Sequence, residues 1–67
     1  MTEDIRLEIG TRLRALREAK GFTTRELAEL AGLNHSHIAK IERGTYNLRI
    51  DTLDKVCSAL GAEIKID

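Results

Sequence analysis

The chain has 67 residues, of which 42% are hydrophobic and 33% charged, with eleven basic and eleven acidic side chains. A chain this short makes one domain, buries only roughly 60% of the surface its unfolded form exposes, and gains from dimerising. These values fit a globular chain rather than a disordered one, and the zero net charge counts against binding to nucleic acid.

The uncharged stretches are too short to span a bilayer, and no secretory signal or membrane anchor is visible. A single cysteine, Cys57, cannot form an internal disulfide and fits a reducing, cytoplasmic setting. On the apolar side of its segment it reads as a packed thiol. There is no proline, and glycines fall at 10, 21, 32, 44 and 61.

The first segment, about Glu3 to Lys20, repeats Ile5, Ile9, Leu13, Leu16 and Ala19 at helical spacing. Thr2 can cap its start, and Lys20-Gly21 ends it. Gly10 lies inside this helix, where glycine costs up to ~1 kcal/mol against alanine. It marks either a close contact or a late helix start. The run Arg12 to Arg17 reads as a solvated face, with Arg14 as a further candidate for phosphate.

The second segment opens with Thr23-Thr24-Arg25-Glu26, a capping box, with Phe22 placed to staple onto Leu27. It ends near Ala31. Gly32 then supplies a turn with φ > 0. The third segment is capped by Asn34 and runs from His35 to Glu42 or Arg43, with Gly44 as its stop. Leu27, Ala31, Leu33, Ile38 and Ile41 point inward, and Ala28 stands where two crossing helices approach closely. Two short helices around a glycine turn make a helix-turn-helix, a unit that sets its second helix in the DNA major groove.

The loop Gly44 to Ile50 carries Tyr46, Asn47 and Arg49. The fourth segment, about Asp51 to Leu60, aligns Ile50, Leu53, Val56, Cys57 and Leu60. Residues 62–67 alternate apolar and charged side chains, the period of a half-buried strand. Ile64 and Ile66 either form a frayed tail or pair with a second copy as an antiparallel ribbon. The expected division is therefore 1–61 as the helix-turn-helix domain and 62–67 as a dimerisation tail.

The charges are polarised. Asn34 to Ile50 holds Lys40, Arg43, Arg49, His35 and His37 against Glu42 alone, while Glu3, Asp4, Glu8, Glu63 and Asp67 gather at the ends. With Ile38 and Ile41 inward, the opposite arc presents His35, Ser36, Ala39, Lys40 and Arg43. Lys40 can donate to guanine O6 and N7, Ser36 can donate or accept, His35 can donate to N7 or O6, and Ala39 leaves room for a thymine methyl. His37, beside the core edge, is expected at a phosphate or as a plain surface histidine. His35 and His37 make no metal site, since residues two apart on a helix diverge. No catalytic constellation or cofactor site is found, and an enzyme is not expected.

The stretches LRALREAKGFTTRELAELAGL, HIAKIERG and IDTLDKVCSALG resemble the phage-repressor and Cro-like (XRE-type) helix-turn-helix family over about Ile9 to Gly61. The resemblance implies an all-α, lambda-repressor-like bundle of four or five helices acting as a homodimer on a palindromic operator. It places Thr24, His35, Ser36 and Lys40 at base edges. It pairs Arg17 with Glu42, with Arg17 also near a phosphate, and sets Arg43, Tyr46 and Arg49 at the DNA backbone. The chain departs from the family pattern at Thr24 (often glutamine), Leu48 (often proline) and Arg49 (often a capping serine). Asp51 or Asn47 is therefore expected to cap the fourth helix.

These readings point to a transcriptional repressor with double-stranded DNA as partner, in the cytoplasm at the nucleoid. A second class is an antitoxin that neutralises a toxin protein and represses its own operon. A third is a protein-interaction module with a degenerate motif.

Overall fold

The computed structural model describes residues 2–45 and 48–62, with side chains from Ile5 onward. Tyr46, Ile64 and Ile66, and with them the proposed tail strand, lie outside the described residues. Four helices follow one another: α1 (Thr2–Ala19), α2 (Thr24–Ala31), α3 (His35–Glu42) and α4 (Ile50–Ala59). No strand occurs among the described residues, so the described part is all-helical. None of these helices is long and apolar enough to cross a membrane.

Local chemistry sets the helix ends. Thr23 Oγ1 accepts from the Glu26 N–H at 3.1 Å, and Glu26 Oε1 accepts from the Thr23 N–H at 2.8 Å, which closes the expected capping box. Gly32 closes α2 at φ 71°, and Leu33 N–H returns to Ala28 O at 2.8 Å. This is the backbone path that turns the chain from α2 into α3.

The core is Leu13, Leu27, Ala28, Ala31, Ile38, Ile41, Val56, Cys57 and Leu60, with Ile9, Phe22, Leu33, Leu48 and Leu53 packed against it. Helix α2 packs on both α3 and α4, and α1 packs on α3. Ala28 is buried in this packing, as the helix crossing requires.

Two expected apolar faces are only partly engaged. Ile5, Leu16 and Ala19 of α1 are exposed, and Ile50 is 76% exposed. Helix α1 is longer than the eight-residue α3 on which it packs, and the side of α1 that bears Leu13 and Arg17 is the one turned inward. Ile50 opens α4 beyond the packed turns and joins Ile5, Ile9, Ile41, Leu48 and Leu53 around a groove of about 250 Å³.

Gly10 marks a close contact, not a late helix start. A Cβ there would lie 2.7 Å from Glu42 O and against Ile41 O as well. Gly44 answers it, since a Cβ on that residue would lie 2.8 Å from Leu7 Cα. Helix α1 and the end of α3 therefore meet backbone to backbone.

Candidate nucleic-acid interface

Helix α3 owes its position to Ile38 and Ile41, which are buried and fix its inner face. The outer face then follows from helical geometry. His35, Ser36, Lys40 and Arg43 are exposed, while His37 and Ala39 are half-buried. Thr24 is half-buried at the start of α2. Arg49 is exposed before α4. Of the side chains expected at base edges, His35, Ser36 and Lys40 are thus exposed on α3, and Thr24 opens α2. Tyr46 falls outside the described residues.

Glu42 is drawn inward. Arg17 Nε donates to Glu42 Oε2 at 2.7 Å, Arg17 Nη2 donates to Glu42 Oε1 at 3.1 Å, and Arg17 Nη1 donates to Phe22 O at 2.7 Å. The fork geometry of the guanidinium matches the carboxylate. The two side chains are 11% and 7% exposed. The hydrogen bond to Glu42 raises the Arg17 pKa above its ordinary value, against desolvation by burial. With three donors turned inward, Arg17 braces α1, the entry to α2 and the end of α3 at once.

This pairing sets the charge of the surface. Glu42 is the sole carboxylate of α3, and Arg17 cancels it. Lys40 and Arg43 remain on the outer side. Arg49 lies 3.7 Å from Asp51 with both groups well exposed, a pairing of little strength in water. Helix α3 and its C-terminal cap thus carry two exposed basic side chains, Lys40 and Arg43, while the carboxylate of this helix is paired.

The N-terminus of α3 carries a second polar unit. Asn34 Oδ1 accepts from the Ser36 N–H at 2.9 Å and from Ser36 Oγ at 2.6 Å. The expected role of Asn34 is the cap alone, and the bond from Ser36 Oγ is additional to it. The asparagine followed two residues later by serine was the available signal for the second bond. At α4, Arg49 makes no side-chain cap, and Asp51 Oδ1 accepts from the Thr52 N–H at 3.0 Å.

No group of three or more His, Cys, Asp or Glu side chains among the described residues could hold a metal ion. Cys57 is buried, and burial pushes its thiol above the ordinary range, with Asp54 adding to the shift.

A helix-turn-helix domain family model matches residues 8–64. The chain is 40% identical over 58 residues to the immunity repressor protein of Bacillus phage phi105, covering 87% of this chain and 40% of that protein. It is 39% identical over 66 residues to the control protein C.BamHI of Bacillus amyloliquefaciens, covering 97% and 82%. The putative antitoxin HigA2 of Mycobacterium tuberculosis is 41% identical over 56 residues, covering 82% and 55%. Among solved structures, the restriction-modification controller protein C.AhdI from Aeromonas hydrophila superposes with a TM-score of 0.83 at 40% identity, covering 85% of this chain and 86% of that one. The chain thus spans less than half of the phage repressor and most of the two controller proteins.

Proposed function

We propose, from the premise that this chain belongs to the helix-turn-helix domain family, that it is a cytoplasmic DNA-binding transcriptional regulator that sets α3 in the major groove of an operator. One observation carries the reading. The outer side of α3 is exposed and basic because Arg17 removes its only carboxylate.

In this reading His35, Ser36 and Lys40 face base edges, with Thr24 at the rim of the groove. Arg43 and Arg49, joined by Tyr46 and His37, hold phosphates. Arg17 braces the helix and, as the resemblance implies, lies near a phosphate. The chain acts as a homodimer on a palindrome with half-sites about one turn apart, ~10 bp, and represses by occupying a promoter. Self-association is supported by the small size of the domain and by apolar side chains left in water, Leu30 at 59% and Ile50 at 76% exposure. The tail from 62 to 67, with Ile64 and Ile66, is the proposed intersubunit strand, beside 1–61 as the DNA-binding domain.

The test separates base reading from phosphate binding. In a selection from a random duplex pool, Lys40→Ala should change the preferred sequence. Arg43→Ala should weaken all duplexes alike. Uniform weakening by both variants would contradict the assignment.

A second reading, an antitoxin that also represses its own operon, is favoured by the similarity to the putative antitoxin HigA2. Its partner would be a toxin protein. A second polypeptide co-purifying at fixed stoichiometry from the native source would favour it.

A further inference from the structure

We infer that Ser36 reads its base as a hydrogen-bond acceptor, and that Asn34 is the positioning residue that fixes this polarity. The inference rests on the groove reading above and specifies what one of its side chains recognises.

The argument is one of hydrogen counting. Asn34 Oδ1 meets the backbone N–H of Ser36 at 2.9 Å. A backbone N–H can only donate, so the atom it meets is the amide oxygen and not the amide nitrogen. The same oxygen lies 2.6 Å from Ser36 Oγ. An amide oxygen carries no hydrogen, so this second bond uses the Ser36 hydroxyl proton. The distance is at the short end of the O–H···O range.

An unconstrained serine hydroxyl rotates and serves as donor or acceptor. This one has its proton committed to Asn34 while its residue stays exposed. What remains for a ligand is lone pairs. In the major groove the base donors are the N6 amino group of adenine and the N4 amino group of cytosine. Guanine N7 and O6 and thymine O4 are acceptors. An acceptor set against an acceptor leaves both unpaired, which a desolvated interface penalises. Every base pair presents one amino group in the major groove, so Ser36 selects which strand holds the adenine or cytosine at its position.

The full-length chain is tested by selection from a random duplex pool, alongside Ser36→Ala, Asn34→Ala and Asn34→Asp. The position whose preference disappears in Ser36→Ala is the one Ser36 reads. There the unaltered protein should prefer adenine or cytosine on the contacted strand. Replacing that adenine by purine, or that cytosine by 2-pyrimidinone, removes the amino group. Affinity of the unaltered protein should fall about tenfold, and that of Ser36→Ala should not change. Asn34→Asp keeps an oxygen acceptor and should keep the preference. Asn34→Ala releases the hydroxyl and should admit guanine or thymine. The readout is the ratio between duplexes, so a general loss of affinity or stability does not mimic it.

A preference for guanine or thymine in the unaltered protein would overturn the inference. So would a purine effect that survives in Ser36→Ala, or a Ser36→Ala profile with no altered position. Each leaves the helix-turn-helix reading standing, provided a duplex is bound. Failure of the unaltered protein to bind any duplex would overturn both.

Discussion

Glu42 belongs to the protein interior more than to its surface, although it lies in a helix whose other side faces solvent. Removing one partner of a buried pair leaves the other charge uncompensated, which costs more than removing both. Glu42→Gln should therefore lower stability by roughly 3 kcal/mol. The double replacement Arg17→Met with Glu42→Leu should lose less. Urea unfolding of the three proteins checks the order, and a double variant weaker than the single one would refute it. The pair was legible only through the family resemblance. Its members stand 25 positions apart, and no local spacing rule connects them. By contrast, the Thr23 and Glu26 cap could be read directly, because its chemistry spans three residues. The spacing of Asn34 and Ser36 signals that the two can bond, but not where the hydroxyl proton points, which depends on a side-chain rotamer.

At the scale of elements, the boundaries of all four helices were legible to within a residue or two. Side-chain caps set the starts of α2 and α3, and a glycine of positive φ follows the end of each helix. The burial of α1 was not legible, because periodicity states which residues share a side and not which of them the neighbouring helices cover. The glycine contact between α1 and the end of α3 gives a prediction with a decided sign. Gly10→Ala gains up to ~1 kcal/mol of helix propensity. The new methyl meets the Ile41 and Glu42 carbonyls, which are backbone and have no rotamer to relieve the overlap. Overpacking of this kind costs about 1–3 kcal/mol. Thermal melting should show net destabilisation; a stabilised variant would mean that the two helices separate readily.

For the molecule as a whole, the sequence disclosed the helix-turn-helix and left the assembly open. A core shared among four short helices in a body of 30 × 25 × 21 Å leaves several apolar side chains uncovered. Deleting residues 62–67 should raise the concentration at which the protein dimerises, as followed by sedimentation; an unchanged profile would remove the strand from the assembly. The ion pair of Arg17 also bears on how a protein of balanced charge finds one site among many. In the proposed reading, its attraction to phosphate would arise by subtracting an acid locally instead of adding bases everywhere. Loose, sequence-blind attachment scales with total cationic surface. A regulator acting in this way would spend little of its time parked on irrelevant chromosome, so that even a modest number of copies would remain available to its target.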